Sequence, residues 1–175
     1  MDEVTVLALK ARDGDRVALS SFVRSTWNDV ARLATAVAGR DLAEDVAQDT
    51  YIRALRALPG YRAESSARTW LLSITRKTAI DAVRSAGRRR RLGRLLSAST
   101  EPSSHVTYQA DGVLTAQVMA GLSPERREAF VLTQLMGFDY AGAAEICGVP
   151  VGTIRSRVAR AREQLIDDMR LEPQL

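Results

Sequence analysis

The sequence predicts an all-α chain: two small helical domains joined by a flexible linker, the second ending in a helix-turn-helix. Three observations predict it. Apolar residues recur at spacings of three and four through most of the chain, and no run alternates as a half-buried strand would. Asp, Ser, Pro and Gly fall where helices start and stop. A stretch that is first Arg-rich, then rich in Ser, Thr and Pro, separates two helical halves, most clearly at Glu101-Pro102-Ser103-Ser104.

The elements follow in order. Glu3 to Arg12 reads as a first helix, ended by Asp13-Gly14-Asp15. A second runs from Arg16 to Val37, with Phe22, Trp27, Val30, Leu33 and Ala34 as core residues, and Gly39 ends it. Asp41-Leu42-Ala43-Glu44 resembles a capping box, with Asp in place of Ser or Thr, and opens a third helix to Ala57. Pro59-Gly60 breaks that helix. A loop from Tyr61 to Ser66 leads into a fourth helix, Ala67 to Ala86. Its broad apolar side carries Leu71, Leu72, Thr75, Ala79, Ala82 and Val83. Its other side carries Ser73, Lys77, Asp81 and Arg84, with Trp70 and Ile74 among them. The expected domains are 1–87 and 112–175, with 88–111 as linker.

In the second domain, Ser123-Pro124-Glu125 supplies an N-cap, a proline in the first helical turn and an early acid. Phe130, Val131, Leu132, Leu135 and Met136 give that helix an apolar face, and Gly137 closes it. Asp139 caps the next helix, where Ala143, Ala144 and Ile146 allow close packing. Cys147-Gly148-Val149 is a short break, and Gly148 suits the left-handed conformation that ends a helix. Pro150 then opens a basic helix. On it, Ile154, Val158, Ala161 and Leu165 fall within about 60° of one another. Arg155, Ser156, Ala159 and Arg160 point the other way, and Arg157 and Arg162 flank them. Such a helix has the shape of one that reads the major groove.

Composition narrows the function. With 46% hydrophobic residues in 175, the chain can bury cores. Its net charge of +4 is unevenly spread. Arg84, Arg88, Arg89, Arg90, Arg91 and Arg94 form a block without an acid, whereas Asp41, Glu44, Asp45 and Asp49 gather negative charge. This asymmetry predicts a polyanion at some surfaces and a basic protein at another. Cys147 is the sole cysteine, so no internal disulfide forms, and it reads as a buried thiol. His105 is the sole histidine, with no second soft ligand nearby, so no metal site is expected. No apolar run approaches the ~20 residues of a membrane span, and Asp2 and Glu3 do not begin a basic signal sequence. The expectation is a cytoplasmic protein without cofactor or catalytic site.

Local faces add candidates. Asp45 and Asp49, four apart, share a helical face with Gln48 beside them; an ordinary solvated face is the competing account. Trp70 either stacks on a nucleic-acid base or is covered by the Tyr61–Ser66 loop. Lys77 and Arg84 fit phosphate contacts, with a solvated face again the alternative.

Taken together, these segments resemble bacterial sigma factors of the extracytoplasmic-function (ECF) type. The resemblance rests on Ala43-Glu44-Asp45-Val46-Ala47-Gln48-Asp49-Thr50-Tyr51, Arg68-Thr69-Trp70-Leu71-Leu72-Ser73-Ile74, Leu122-Ser123-Pro124-Glu125-Arg126-Arg127-Glu128-Ala129-Phe130 and Gly152-Thr153-Ile154-Arg155-Ser156-Arg157. It implies a transcription initiation factor, not an enzyme. Asp45, Gln48 and Asp49 would bind the clamp helices of the largest subunit of core RNA polymerase. Tyr61, Arg62, Ser65, Ser66, Trp70, Lys77 and Arg84 would meet the minus-10 element of promoter DNA. Thr153, Arg155, Ser156, Arg157, Ala159, Arg160 and Arg162 would meet the minus-35 element. An anti-sigma factor is a further partner the resemblance implies. Many members carry Asn at the place of Lys77, and the aromatic pair with which primary sigma factors melt DNA is not evident. A linker of about 25 residues reaches roughly 80 Å, enough for elements roughly 55–70 Å apart. The alternative is a stand-alone helix-turn-helix regulator, which leaves the acidic helix without a role.

Overall fold

The computed structural model describes residues 1–96, 119 and 121–171. His105, the Glu101–Ser104 stretch and the greater part of the expected linker lie outside the described residues. The chain divides into two compact units, Met1–Thr100 and Glu101–Leu175. Among the described residues there are α-helices, one 3-10 turn and one π turn, and no strand. No described helix is long and apolar enough to cross a membrane.

The first unit contains α1 (Glu3–Arg12), α2 (Arg16–Ala38), α3 (Arg40–Ala57) and α4 (Ala67–Leu96), with a 3-10 turn at Leu58–Gly60. α2 packs against α1, α3 and α4, and α3 against α4. Phe22, Val30, Leu33 and Ala34 of α2 are buried as their spacing predicts, together with Leu71 and Leu72 of α4. Each large side chain buried this way contributes about 1.5–3 kcal/mol. Trp27 is half-buried and stacks on Tyr51, ring centroids 5.8 Å apart. Ala34, Val46 and Ala79 meet where α2, α3 and α4 converge. Such small side chains let helix axes approach closely.

One start and one end depart from expectation. α3 begins at Arg40 with Gly39 as its N-cap and no side-chain cap. Gly39, at φ +82°, is the single residue between α2 and α3, closing one and opening the other. Asp41 therefore lies inside the first turn, where it faces the positive end of the macrodipole instead of capping. α4 begins at Ala67 as expected but does not end at Ala86. It runs through Gly87 to Leu96. From Ile80 to Leu92 none of its residues is fully buried, and Val83, expected on the apolar side, is 43% exposed.

The N-terminus of α4 is seated by α1. Asp2 caps α1, its carboxylate accepting from the amide (2.9 Å) and hydroxyl (2.6 Å) of Thr5. The same Thr5 oxygen accepts from the Ala67 amide at 2.9 Å. One buried hydroxyl thus satisfies an orphan donor at the start of α4. Burial would raise the Asp2 carboxyl, but the hydroxyl and amide of Thr5 outweigh it and hold it below 3.8. That contribution is complete above the ordinary carboxylate range and fades as the pH falls below it.

The second unit contains α5 (Pro124–Phe130), a π turn (Val131–Leu135), α6 (Tyr140–Cys147) and α7 (Val151–Leu171). α7 packs against α5 and α6. Ser123 caps α5 as predicted, with Pro124 in the first turn. The helix expected to reach Met136 as one element widens into the π turn instead. Its i→i+5 bonds shift the side-chain register. Val131, Leu132 and Met136 stay buried, while Leu135 is turned out, 41% exposed.

Thr5→Val removes the hydroxyl and leaves the Ala67 amide buried without its partner. The expected loss is about 1–3 kcal/mol, read by calorimetry on the full chain as a lower Tm. Thr5→Ser should retain most of it. An unchanged Tm for Thr5→Val would mean that this bond does not hold α4.

Candidate nucleic-acid interfaces

α3 turns Val46, Ala47, Thr50, Tyr51 and Ala54 inward. Glu44, Asp45, Gln48 and Asp49 stay exposed. The last three share one solvent face at i, i+3 and i+4. Among the described residues no salt bridge joins Asp45 or Asp49 to a cation. The face continues one turn on with Ile52 and Leu55, 47% and 42% exposed. These two were missed in the sequence, although Ile52 is seven residues after Asp45 and so in line with it. Behind this face Tyr51 ties α3 to α2. Its hydroxyl lies 2.9 Å from Thr26 Oγ1 and 3.3 Å from the Val23 carbonyl. Burial pushes that hydroxyl up to about 12, with Asp29 adding to the shift and the Thr26 bond opposing it.

The loop before α4 is a fixed structure. Tyr61 is only 4% exposed. Its hydroxyl donates to the Ser65 carbonyl at 2.7 Å, and its own carbonyl accepts from Arg12 Nη1 at 3.1 Å. Its ring packs tilted against Trp70, centroids 4.9 Å apart. Tyr61, expected to touch DNA, is buried between Trp70 and its own loop. Trp70 is half-buried, with Tyr61 packed against it. Ser66 Oγ accepts from the Thr69 amide at 3.1 Å and so caps α4. Ser65 and Ser66 are half-buried, and Arg62 is exposed. Ala63 holds φ +57°, a left-handed conformation that costs an alanine about 1–2 kcal/mol. The loop is therefore pinned at both ends and strained between them, so it offers a preformed surface. Beyond it, Arg68 Nε meets Asp29 Oδ2 at 2.6 Å. Lys77 and Arg84 are exposed further along α4.

α6 and α7 form the expected helix-turn-helix. Asp139 accepts from the Gly142 amide at 2.7 Å. Gly148 is left-handed at φ +64°, and the amides of Gly148 and Val149 return to Glu145 and Ala144. This is the paired-bond arrangement by which glycine ends a helix. The Pro150 carbonyl accepts from the Thr153 amide at 2.9 Å and so starts α7. Cys147 is buried, its place in the turn being a packing position.

On α7, Ile154, Val158 and Ala161 are at most 1% exposed, and Leu165 is half-buried. Arg155, Ser156, Ala159, Arg160 and Arg162 are exposed, and Thr153 is half-buried. Two hydrogen bonds hold this face. Ser156 Oγ donates to the Thr153 carbonyl at 3.0 Å, and Arg162 Nη2 donates to Gln134 Oε1 at 2.5 Å. Arg157 departs from its expected place on an open flank. It is half-buried, and its Nη1 is enclosed without a hydrogen bond to any described residue. About 60° from Ile154 on the wheel, its stem is drawn toward the packed side.

Comparison with known proteins covers both units. Residues 22–89 match the family described as Sigma-70 region 2, and residues 114–165 match Sigma-70 region 4. The chain is 43% identical over 169 residues to the ECF RNA polymerase sigma factor SigC of Mycobacterium tuberculosis, covering 95% of this chain and 91% of that one. It is 32% identical over 172 residues to the ECF RNA polymerase sigma-E factor of Haemophilus influenzae, covering 91% of each. Among solved structures, CnrH in complex with the cytosolic domain of CnrY superposes with TM-score 0.73 at 25% identity, over 98% of this chain and 100% of that one. The sigma factor RpoE of Bartonella quintana, in complex with the anti-sigma factor NepR, gives TM-score 0.73 at 27% identity, over 89% and 98%.

The Tyr51 environment predicts a pH dependence. A phenol raised from 10.0 to about 12 contributes stability that is complete below pH 10 and lost as the pH climbs toward 12. Ultraviolet titration should show one tyrosine ionising last, and Tyr51→Phe should remove that step. A step that survives the substitution would assign it elsewhere.

Proposed function

The chain belongs to the ECF family of RNA polymerase sigma factors, and from that premise we propose a division of labour between its two units. As an alternative sigma factor it binds core RNA polymerase and directs promoter recognition and transcription initiation. It works by binding, without catalysis or cofactor, in the cytoplasm where polymerase and promoter meet. The 1–87 domain takes the polymerase and the minus-10 element, and the 112–175 domain takes the minus-35 element. The observation that carries this reading is α7, whose Arg155, Arg160 and Arg162 are exposed while Ile154, Val158 and Ala161 are sealed against the unit.

Asp45, Gln48 and Asp49 meet a basic surface on the polymerase clamp helices, and Ile52 and Leu55 extend the contact with apolar area. The approach of cations would relieve the repulsion between the two aspartates. Arg62, with the polar edges of Ser65 and Ser66, lines the rim where a base flipped from the non-template strand is held. Unpaired bases are best bound by stacking and edge hydrogen bonds. Trp70 supports that rim through Tyr61, and Lys77 and Arg84 hold the strand's phosphates. Arg155, Ser156 and Arg160 read base edges in the major groove, Ala159 gives a small apolar contact, and Arg162 with the α7 N-terminal Thr153 anchors the backbone. Arg157 contributes through the nitrogens left outside its enclosed Nη1. An anti-sigma factor that covers these faces is a third partner. A stand-alone regulator would need no polymerase-facing acidic helix.

Asp45→Arg combined with Asp49→Arg should abolish co-purification with core polymerase while leaving the helical circular dichroism intact; normal co-purification would remove the clamp role. Arg160→Ala should weaken binding to the cognate promoter by about 1–3 kcal/mol and relax preference at one position. An equal loss on unrelated DNA would make Arg160 a phosphate contact.

A further inference from the structure

The loop expected to meet the minus-10 element is held by a side chain from α1. Arg12 is the last residue of α1, and its guanidinium has two arms engaged. Nε meets Asp13 Oδ1 at 2.9 Å, and Nη1 donates to the Tyr61 carbonyl at 3.1 Å, across 49 residues of chain. A cation in a last helical turn complements the macrodipole, and Lys10 and Arg12 both do so. The pair with Asp13, whose side chain is 65% exposed, contributes little. Neither effect accounts for the second arm, which leaves α1 for a carbonyl in another element. The guanidinium is a planar fork, so Asp13 on one arm aims the other. A lysine has no such fork.

The carbonyl it reaches is the informative partner. Every polar group of Tyr61 is bonded. Its amide donates to the Leu58 carbonyl at 3.0 Å, its hydroxyl donates to the Ser65 carbonyl at 2.7 Å, and its own carbonyl takes Arg12. Of these, the Arg12 bond alone acts on the peptide that leads into Arg62. A peptide unit is planar, so holding the Tyr61 carbonyl also holds the Arg62 amide. On the other side of Arg62, Ala63 is left-handed at φ +57°. Arg62 thus stands exposed between a clamped peptide and a left-handed residue. Its direction is set from both sides, and Arg12 sets one of them.

A recognition residue works only when the groups around it hold it to within about 0.5 Å. We propose that Arg12 is a positioning residue for minus-10 recognition: it holds the Tyr61–Arg62 peptide and so fixes the direction in which Arg62 meets a base flipped from the non-template strand. Arg12 acts through Arg62 and touches no base itself. Resting on the sigma-factor reading, this role gives α1 a part in promoter specificity.

The test uses holoenzyme assembled from the full chain: wild type, Arg12→Ala, Arg12→Lys, Arg62→Ala, and Arg12→Ala combined with Arg62→Ala. Affinity is measured on promoters altered at one minus-10 position at a time. The position where Arg62→Ala loses preference marks the base that Arg62 meets. There wild type should distinguish bases by about tenfold, and Arg12→Ala and Arg12→Lys by about threefold or less. On the preferred promoter Arg12→Ala should weaken binding by about threefold or more, and by nothing further once Arg62 is replaced, because both act through one contact. Co-purification with core polymerase and preference for the minus-35 element should be those of wild type. Arg12→Lys keeps the cation and the stem, so it decides the matter even if Arg12→Ala loses its helical circular dichroism. Undiminished discrimination in the Arg12 variants overturns the proposal, as does a promoter set on which Arg62→Ala loses no preference. A loss equal on every promoter, restored by lysine and joined to a flatter salt slope, would make Arg12 a phosphate contact and overturn it as well. So would a further loss of affinity in the Arg62→Ala background. A wild-type chain that binds neither core nor promoter would instead sink the reading beneath the proposal.

Discussion

The bond from the Ala67 amide to Thr5 Oγ1 fixes where α4 starts, and most of what the first unit presents to solvent is set by that start. Thr5 is only 3% exposed and is itself oriented by Asp2. A helix advances about 100° per residue, so a shift of one residue at its origin would swing every later side chain by that angle. The seat at Thr5, the Ser66 cap and the Arg68–Asp29 pair act within three residues of one another. With α4 held there, Leu71, Leu72, Thr75 and Ala79 enter the core, and Lys77 and Arg84 are committed to solvent.

The same economy governs the second unit. α7 has one sealed stripe, and the outward direction of its arginines follows from that burial. The left-handed Gly148 and the Pro150 start set the angle at which α7 leaves the turn. In both units, then, function occupies the face that packing leaves over. The two acidic side chains on α3 and the guanidiniums on α7 belong to separate bodies, which suits a protein that must hold an enzyme and read DNA at once.

Much of this was legible in the sequence because the signals are local. Asp139, Gly148, Ser123 and Pro124 act within one helical turn, and the structure uses each as its chemistry suggests. The stripe of Ile154, Val158 and Ala161 is a simple periodicity. What stayed hidden depends on partners distant in the chain. Nothing near Tyr61 says that Arg12, 49 residues earlier, will hold its carbonyl. Arg157 is on the wheel's flank, and only the packed neighbours decide how far its stem is drawn in. Gly87 looked like a helix end, yet a glycine inside a helix costs only about 1 kcal/mol relative to alanine. The arginines after it are good helix formers, and α4 continues. Asp41 looked like a cap because Gly39 could not be seen serving two helices at once.

This chain decides where RNA polymerase starts. Run-off transcription with purified core polymerase on a library of promoter fragments measures it directly. Adding the chain should produce new, discrete start sites that share an upstream and a downstream element at constant spacing. Start sites identical with and without the chain would contradict the account.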